Sequence, residues 1–476
     1  MKTRSLFLIT LLFIIGYFTY FKNYWDPAKQ FWDENYHIAS AQKYIDKVMF
    51  MEPHPPLGKM LIALGEVILH PNSNIDKSYF DQTDYIKRFP KGMSFAGYRL
   101  FPTLFAWINV VLFFLILYEL TQNDLLSFFG SFLYLFDNAL IVHSRAAMLE
   151  SIQLFFILGA IWCFIKHYEV KKSIKDYLIL GIWSGLAIAV KANSTIVVLL
   201  PVMWFIKDIF SKRLYLQEFV GLFVYGISAV MIFLGIFYLH FILGEKIENN
   251  RIYAASEKYQ QILKNHQNKN PMNFFVMLKD NLKYMKNYEK GVPKLNLCKP
   301  GENGSLFIGW PLGIKAINYR WERHGSYVQY LYLQGNPVTW MLGLIGVILS
   351  IVLVLSVIVF GLPIKNRRIF EYIAIFTFIY ISYMIAVGQI PRVMYLYHYF
   401  IPLIVSYLLA VLVFYYLFEE EIRKKDKIVW SAISIIVVAI VFTWWFFSPL
   451  TYYKPLTNEQ FYKRVWFDCW QLKPIR

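Results

Sequence analysis

Long blocks of apolar residues, separated by short polar segments, dominate the pattern of this chain. About eleven blocks match a membrane-crossing helix, since about 20 apolar residues cross the ~30 Å hydrocarbon core. A closed barrel would require alternating segments of about ten residues, which this pattern lacks. The chain is therefore predicted to be an all-α polytopic membrane protein. The blocks lie near 5–22, 95–118, 125–141, 149–166, 177–190, 194–207, 219–243, 338–361, 370–387, 395–417 and 428–447.

Composition supports this class of protein. Of the 476 residues, 57% are hydrophobic, which is above the roughly 45–50% of soluble domains. The formal net charge is +17, a value that in a soluble protein would suggest a nucleic-acid partner. Here no basic run belongs to a recognisable nucleic-acid-binding module, and basic residues beside membrane spans contact anionic lipid. The sequence therefore predicts membrane lipids, and no nucleic acid, among the partners.

Basic residues concentrate in alternate loops between the blocks, and this asymmetry predicts the orientation. Under the positive-inside rule, short loops rich in lysine and arginine face the cytoplasm. The short loops on the other side carry single cations, Arg145, Lys191 and Arg392. The N-terminus is therefore predicted inside and the tail, 448–476, outside. The cations expected on the cytoplasmic side are Lys171, Lys172, Lys175, Lys207, Lys212, Arg213, Lys365, Arg367, Arg368, Arg423, Lys424, Lys425 and Lys427.

Two segments on the outer side, 23–94 and 244–337, are too long to be simple connections. Loops beyond about 15 residues are usually functional or disordered, and both segments hold many aromatic residues. The apolar stretch 59–69 is too short to span and suits a helix at the membrane interface. We predict an N-terminal transmembrane catalytic module, 1–243, followed by the long outer loop and a C-terminal transmembrane module, 338–476.

The three cysteines constrain little. Cys163 lies within an apolar block, whereas Cys298 and Cys469 would both lie outside, where a disulfide can form. Their spacing leaves that pairing open. No zinc-site spacing occurs, and no dedicated set of metal ligands is seen.

The first candidate site is a pair of carboxylates, Asp33 and Glu34, just after the first block. Carboxylates near the membrane surface are unfavourable unless they are solvated, paired or used. Transfer of a sugar to a hydroxyl requires a base that takes the hydroxyl proton, and either carboxylate can act in this way. The alternative is structural, with Asp33 as the N-cap of a helix over 34–49. The residues alone do not favour one interpretation.

The second candidate is the proline-rich stretch 52–59. Its three prolines within four positions hold an extended backbone and remove amide donors. Such a stretch can fix His54 and Lys59 at a binding site. The alternative is a rigid turn between two interfacial helices.

The third group consists of isolated charges at the predicted outer ends of the spans. Ionisable residues at membrane depth are functional candidates, and arginine presents a planar donor fork that matches phosphate oxygens. Several cations on one face would hold an anionic lipid headgroup. The alternatives are snorkelling to the interface and ion pairs such as Arg145 with Glu150. The group comprises Arg99, Asp137, Arg145, Glu150, Lys191, Arg392 and His398.

Trp310 belongs to an aromatic-rich stretch that leads into 335–337. Aromatic faces bind sugar rings and peptide backbones, which makes Trp310 a candidate substrate-binding residue. Aromatic residues also form belts at the membrane interface, and this is the commoner explanation.

Taken in this order, the motifs resemble the protein O-mannosyltransferase family, polytopic enzymes of the GT-C superfamily. The resemblance runs from the first outer loop to the tenth block and so covers nearly the whole chain. It is carried by Trp32-Asp33-Glu34 with Tyr36-His37, His54-Pro55-Pro56-Leu57-Gly58-Lys59, Gly97-Tyr98-Arg99-Leu100-Phe101-Pro102, Asp137-Asn138, Ser144-Arg145, Leu149-Glu150-Ser151, Gly335-Asn336-Pro337 and Tyr397-His398-Tyr399.

The resemblance implies an inverting transfer of mannose from a polyprenyl-phosphate mannose to Ser or Thr hydroxyls of exported proteins, on the outer face of the membrane. By motif position, Asp33 is implied as the general base, with Glu34 beside it at the acceptor or donor site. Arg99 and Arg145 are implied to contact the lipid phosphate or to hold the site together. The family is not expected to need a metal, so no cofactor is predicted beyond the lipid-linked sugar.

Two departures from the family pattern refine this expectation. The segment 244–337 is too short for the β-trefoil MIR domain of eukaryotic members, which indicates a prokaryotic form in the plasma (inner) membrane. Glu150 stands where the family usually has aspartate. The alternative within the same class is a lipid-linked-sugar transferase that acts on an envelope glycan or lipid A, like the aminoarabinose transferases. A transporter is less favoured because the polar residues lie at the outer ends of the spans rather than at mid-membrane.

Overall fold

The computed structural model describes residues 3–210, 216–248 and 255–475. Two of the predicted cytoplasmic cations, Lys212 and Arg213, lie outside the described residues. The helices, in chain order, are α1 (Thr3–Gly16, extended by a π-helical turn, Tyr17–Phe21), α2 (Glu34–Asp46), α3 (Leu57–Leu69), α4 (Ser78–Asp81), α5 (Ala96–Thr121), α6 (Asp124–Gly130), α7 (Phe132–Leu135), α8 (Asn138–Ser144), α9 (Glu150–Tyr168), α10 (Ile174–Val190), α11 (Leu199–Phe210, preceded by a 3-10 helix, Ala192–Val198), α12 (Leu216–Leu243), α13 (Glu257–Lys264), α14 (Phe274–Gly291), α15 (Pro337–Phe360), α16 (Arg367–Gly388), α17 (Phe400–Leu417, preceded by a 3-10 helix, Leu396–Tyr399), α18 (Glu419–Arg423), α19 (Lys427–Thr451) and α20 (Asn458–Tyr462).

By length and apolar composition, nine helical stretches of the described chain could each cross a membrane. A tenth candidate is a broken span, in which Asp124–Leu135 and Asn138–Ser144 meet at 61°. Helix α10 has 17 residues, fewer than the 19 of the shortest of the nine. The predicted all-α polytopic class is confirmed, whereas the count of eleven spans is not. The nine stretches are Thr3–Phe21, Ala96–Thr121, Glu150–Tyr168, Ala192–Phe210, Leu216–Leu243, Pro337–Phe360, Arg367–Gly388, Leu396–Leu417 and Lys427–Thr451.

The span α15 shows how local sequence defines a membrane helix. The Asn336 side chain accepts a hydrogen bond from the Val338 backbone N–H, and Pro337 occupies the first helical position, where a missing N–H is harmless. The helix ends before Gly361, whose φ of 64° is one that glycine adopts readily. Both ends of this span are therefore encoded by neighbouring residues.

The chain divides into two compact units, each assembled from separate stretches. Unit 1 consists of Met1–Lys22, Trp107–His143 and Lys294–Arg476, and unit 2 consists of Asn23–Ala106 and Ser144–Pro293. The three consecutive regions predicted from the sequence stay a prediction.

Within unit 1, α15 packs closely against α17 because small residues line the contact. A Cβ atom on Gly346 would lie 2.5 Å from the backbone N and Cα of Ala410, and one on Gly343 would meet the Ser406 side chain. In membranes, such small residues let helix backbones approach and gain van der Waals contact. Any larger residue at Gly346 would therefore separate the two spans.

Unit 1 also contains a three-stranded antiparallel sheet that the sequence analysis did not predict. Its strands are β1 (Ile317–His324), β2 (Tyr327–Leu333) and β3 (Pro455–Leu456), in the order β1-β2-β3. β1 and β2 form a hairpin whose last pair is His324 with Tyr327, and the turn includes Gly325 at a φ of 60°. The buried ring of Tyr330 packs against Phe461. The prediction of helices alone is thus wrong for this part of the long outer loop and the C-terminal tail.

Unit 2 combines spans with most of the first outer loop. Helix α10 packs against α9 and α12, and Gly181 on α10 lies so close to α12 that a Cβ there would be 2.6 Å from the Tyr225 carbonyl oxygen. A parallel bridge between Val48 and Lys246 fastens the first loop to the end of α12. Helices α13 and α14 pack beside that end. The helix predicted at 59–69 is present as α3, and its location at the membrane interface stays a prediction.

Candidate active site

The candidate site in unit 2 begins with a tight turn just before α2. Trp32 has a φ of 54°, in the left-handed region that a bulky residue rarely adopts. This conformation reverses the chain, so that the Phe31 backbone N–H donates to the Glu34 carboxylate at 3.0 Å. Such strain costs about 1 to 3 kcal/mol and persists only where surrounding contacts enforce it. The turn therefore fixes the positions of Asp33 and Glu34.

Glu34 is fully buried and paired with Arg99 from the first turn of α5. Arg99 Nε lies 2.7 Å from Glu34 Oε1, and the Arg99 NH2 group lies 2.9 Å from Oε2. Oε1 also accepts from the Ala147 N–H at 2.8 Å. Both carboxylate oxygens are thus occupied. Glu34 is thus enclosed in this structure, and its predicted place at the catalytic site stays a prediction.

Arg99 is as completely enclosed as its partner. Its remaining donors bind the carbonyl oxygens of Trp25, Pro27 and Lys29 at 2.7–2.8 Å. Its guanidinium also lies over the ring of Phe95, 4.5 Å from the centroid. Of the two implied roles, contact with phosphate or holding the site together, this geometry supports the second.

Asp33, by contrast, is half-buried. Its carbonyl accepts hydrogen bonds from Tyr36 and His37, but among the described residues its side chain makes no capping hydrogen bond. Burial raises the pKa of Tyr36, and the charge of Asp33 raises it further, so the carboxylate and the phenol are neighbours. The Tyr36 ring meets that of Tyr85 with centroids 4.8 Å apart. Asp33 is therefore the less buried member of the pair.

His37 lies one turn further along α2 and is buried. Its Nδ1 is 2.7 Å from the Ala147 carbonyl oxygen. Since a carbonyl only accepts, Nδ1 carries the proton and Nε2 is left as an acceptor. Burial lowers the pKa of His37 to about 3, and the positive charge of Lys59 adds to that effect. His37 is consequently neutral at physiological pH.

Lys59, a predicted binding residue, belongs to a buried network. Its Nζ lies 2.5 Å from Glu52 Oε1 and 3.3 Å from Ser40 Oγ. Glu52 is fully buried, and this burial raises its pKa against the opposing effect of Lys59. The Asn281 side chain on α14 bonds both the N–H and the C=O of Glu52. His54 is half-buried, with its ring 6.1 Å from that of Tyr288. The proline-rich stretch is thus tied to α14, as the rigid-turn interpretation expects.

Lys191 and Glu150 form a partly exposed ion pair. Lys191 Nζ lies 2.5 Å from Glu150 Oε1, and the side chains are 14% and 8% exposed. The charge of Glu150 raises the pKa of His37 and that of Lys191 lowers it, both less than burial does. Arg145 is bound to the Asn23 carbonyl oxygen at 2.5 Å and is 5% exposed. Lys191 is therefore the more accessible of the two cations.

In unit 1, Asp137 sits at the bend of the broken span. One oxygen accepts from the Leu140 N–H, at 2.8 Å, and the other from Trp340 Nε1, at 2.6 Å, and from the Tyr407 hydroxyl, at 2.8 Å. Thr339 donates to the same oxygen at 3.1 Å. Asp137 is fully buried, and its predicted contact with substrate stays a prediction.

The other predicted residues of unit 1 are Trp310, His398 and Arg392, and the first two belong to an aromatic cluster. Trp310 is fully buried, donates to Ser305 Oγ at 3.0 Å and stacks on His398 with centroids 6.3 Å apart. The Trp310 ring is thus covered by other residues, and its predicted role in substrate binding stays a prediction. His398 is itself 6% exposed. Arg392 is half-buried and lies 3.4 Å from the Val393 carbonyl oxygen.

Several residues in these networks were missed by the sequence analysis. Tyr44 joins Glu52 to His240, with its hydroxyl 3.0 Å from His240 Nδ1. Asn281 and Tyr85 come from distant parts of the chain. Only His240, a titratable residue inside an apolar block, gave a signal in the sequence. The others depend on contacts that no local pattern encodes.

Two family descriptions match this chain. "Dolichyl-phosphate-mannose-protein mannosyltransferase" matches residues 10–243, and "C-terminal four TMM region of protein-O-mannosyltransferase" matches residues 281–470. Dolichyl-phosphate-mannose–protein mannosyltransferase 1 of Candida albicans is 26% identical over 270 residues, 53% of this chain and 30% of that protein. Protein O-mannosyl-transferase 2 of Danio rerio is 28% identical over 162 residues, 34% of this chain and 20% of that protein. The alignments thus cover less than a third of these relatives.

Solved structures agree at the level of fold. The Saccharomyces cerevisiae protein O-mannosyltransferase Pmt1-Pmt2 complex bound to the sugar donor is 16% identical, with a TM-score of 0.83 over 98% of this chain and 93% of that chain. The Archaeoglobus fulgidus oligosaccharyltransferase is 12% identical, with a TM-score of 0.53 over 98% of this chain and 58% of that chain. The protein therefore has the fold of polytopic GT-C glycosyltransferases. With both family descriptions matched, the chain belongs to the protein O-mannosyltransferase family, as the motifs predicted.

Proposed function

We propose that this protein is an inverting mannosyltransferase that moves mannose from a polyprenyl-phosphate mannose to Ser or Thr hydroxyls of exported proteins. The observation that carries the proposal is the position of Asp33, a half-buried residue on a strained turn beside the fully buried Glu34–Arg99 pair. The family to which the chain belongs supports the same reaction class.

In the proposed reaction, Asp33 takes the proton of the acceptor hydroxyl as its oxygen attacks the anomeric carbon. The bond between that carbon and the phosphate oxygen breaks, and the polyprenyl phosphate leaves with the negative charge. A single displacement of this kind inverts the anomeric configuration. The Glu34–Arg99 pair acts as a positioning element, since it fixes the turn that carries Asp33.

The phosphate of the donor needs a cation nearby, and Lys191 is the best candidate within unit 2. Arg99 and Lys59 are engaged in buried pairs, whereas Lys191 is partly exposed beside Glu150. A point charge of this kind binds phosphate well. We therefore assign the donor phosphate to Lys191.

The proposal places the reaction on the extracytoplasmic face of the plasma membrane, with the N-terminus in the cytoplasm. It follows from the distribution of lysine and arginine in the short loops. We also propose that the transfer reaction needs no metal ion. Incubation with a chelator should accordingly leave the transfer rate unchanged, and restoration of a lost rate by added metal would overturn this part.

The proposal is tested by transfer in reconstituted membranes. Radiolabelled polyprenyl-phosphate mannose and a Ser/Thr-rich peptide are supplied to wild type, to Asp33→Asn and to the matched control Asp76→Asn. Asp76 is exposed in the same loop. We expect the peptide to be labelled by wild type and the control, and Asp33→Asn to lose at least about a hundredfold in rate while keeping its thermal stability.

Two results would overturn the assignment. Near-normal transfer by Asp33→Asn would remove it as the base. Label in a membrane glycan, with none in the peptide, would move the protein to the alternative of a lipid-linked-sugar transferase with a glycan or lipid acceptor.

A further inference from the structure

Helix α14 carries a row of four exposed lysines, Lys279, Lys283, Lys286 and Lys290. They follow one another at intervals of four, three and four residues, so they occupy one face of the helix. The opposite face is the one that packs on the protein, through the buried residues Phe274, Met277, Leu278 and Asn281. The lysine face therefore points away from the protein body.

Large apolar side chains line one edge of this lysine face. Met272, Phe275 and Leu282 are 84%, 68% and 41% exposed. Such exposure of apolar groups to water is unfavourable. Apolar and basic residues on adjoining parts of one helix are the pattern of a helix that lies in the membrane interface.

The start of α14 lies against the end of a membrane span. The Phe274 ring lies 5.8 Å from Tyr238 and 5.9 Å from Phe241, both in the last turns of the span α12. The Tyr238 hydroxyl donates to the Lys269 carbonyl oxygen at 2.7 Å. The start of α14 is thus bound to the end of a membrane span. The helix continues from there for 18 residues.

We propose that the lysine face of α14 binds the anionic phospholipid headgroups of the leaflet beside the end of α12, with Met272, Phe275 and Leu282 inserted at the acyl boundary. Basic residues near an anionic surface are attracted to it, and the three apolar side chains supply the hydrophobic contact. A lipid surface fits better than an acidic polypeptide because Phe274, at the start of α14, packs against the last turns of a membrane span, which also exposes the apolar Leu239.

Binding of α14 to the membrane would restrain the position of the candidate site. Asn281, on the protein-facing side of α14, holds the backbone of Glu52, and Glu52 holds Lys59. Fastening α14 to the membrane therefore restrains the proline-rich stretch. The proposal does not depend on the transferred sugar or on its acceptor.

The test measures the depth of nitroxide labels in the full-length protein, reconstituted in nanodiscs of phosphatidylcholine with or without phosphatidylglycerol. Labels are placed at Phe275→Cys, Leu282→Cys and, as a water-exposed reference, Asn287→Cys. The exposed Cys298 and Cys469 are first replaced by serine. We expect oxygen accessibility, relative to that of a water-soluble nickel chelate, to be severalfold higher at 275 and 282 than at 287, and highest with phosphatidylglycerol.

The charge dependence is tested with the fourfold variant Lys279→Gln, Lys283→Gln, Lys286→Gln and Lys290→Gln. It should lose the effect of phosphatidylglycerol on label depth. A control with the same net charge replaces Lys87, Lys91, Lys294 and Lys299, which are also exposed, and should retain it. All these sites are on the surface, and equal melting temperatures would establish that folding is intact.

Labels at 275 and 282 that are as accessible to nickel as the label at 287, in both bilayers, would overturn the proposal. So would an unchanged phosphatidylglycerol effect in the fourfold variant. Shielding of the labels by an acidic polypeptide, with no effect of anionic lipid, would identify a protein-docking face and also overturn it.

Discussion

Glu34 and Arg99 show what a buried ion pair does at the scale of single residues. Each side chain is removed from water, and each charge is satisfied by the other and by backbone groups. Such a pair adds little net stability compared with apolar residues of the same size, yet removal of one partner leaves an uncompensated charge. The pair therefore specifies the geometry of the Trp32–Glu34 turn rather than the overall stability of the fold.

Arg99→Lys keeps the charge but removes the planar donor fork that binds five acceptor atoms. Because buried carbonyl oxygens lose their donors, we expect a loss of about 1 to 3 kcal/mol in the free energy of unfolding, seen as a lower melting temperature in detergent. Arg88→Lys, at an exposed position, is the control and should melt like wild type. A normal melting temperature for Arg99→Lys would contradict the assigned role of the fork.

Asp81 provides a prediction about pH. Burial raises its pKa to about 7, and the negative charges of Asp46 and Glu248 act in the same direction. The positive charge of Lys43 lowers the pKa, but by less. The folded carboxyl thus binds its proton more tightly than the unfolded one. The free energy of unfolding should fall as pH rises from the usual aspartate range to about 7.

Asp81→Asn should remove this part of the pH dependence and raise the melting temperature at neutral pH relative to wild type. Melting curves over a pH series measure both effects. Asp76→Asn should leave the fall with pH in place, since Asp76 is exposed and its pKa is lowered rather than raised. Parallel curves for Asp81→Asn and wild type would refute the shift.

At the scale of elements, the crossing of α3 and α5 depends on two glycines. A Cβ on Gly97 would lie 2.7 Å from the Glu66 Cα, and one on Gly65 would meet the Gly97 carbonyl oxygen. Backbones can approach so closely only where a side chain is absent. This contact matters for the site because α5 begins just before Arg99 and α3 carries Lys59.

Gly97→Ala should force the two helices apart and destabilise the protein by about 1 to 3 kcal/mol, with a loss of transfer activity because Arg99 moves with α5. Gly226→Ala is the matched control: it is helical too, and its Cβ would meet nothing within 4 Å. That control should be neutral or slightly stabilising. Equal melting temperatures for the two variants would show that the helices adjust without cost.

At the scale of the whole molecule, the orientation in the membrane can be measured by chemical labelling of the cysteines. Cys298 and Cys469 are exposed, whereas Cys163 is buried. If the long loops face outward, a membrane-impermeant maleimide added to intact cells should label Cys298 and Cys469 and leave Cys163 unmodified. Cys298→Ser/Cys469→Ser is the control and should remain unlabelled. Labelling of wild type only after the cells are opened would reverse the proposed topology.

The sequence by itself determined the membrane class and the family. Apolar blocks of the right length predict spans whatever surrounds them, because no water is available inside a bilayer to bind unpaired backbone groups. Helix ends such as Asn336-Pro337 and Gly361 are likewise local. The ordered motifs around Asp33, His54 and Arg99 identified the family without any coordinates.

The tertiary structure decided which charged residues are accessible. Asp33 and Glu34 are adjacent in the chain, and only contacts with Arg99 and Ala147, far away in sequence, show that one is enclosed and the other half-buried. The sequence made Asp137 and Trp310 candidates for substrate binding, like the more exposed residues, but in the fold other residues cover both. Burial is a property of what surrounds a side chain, and residues distant in sequence supply those surroundings. The pattern along the chain therefore determines where charges occur, and only the folded contacts determine which of them can meet a substrate.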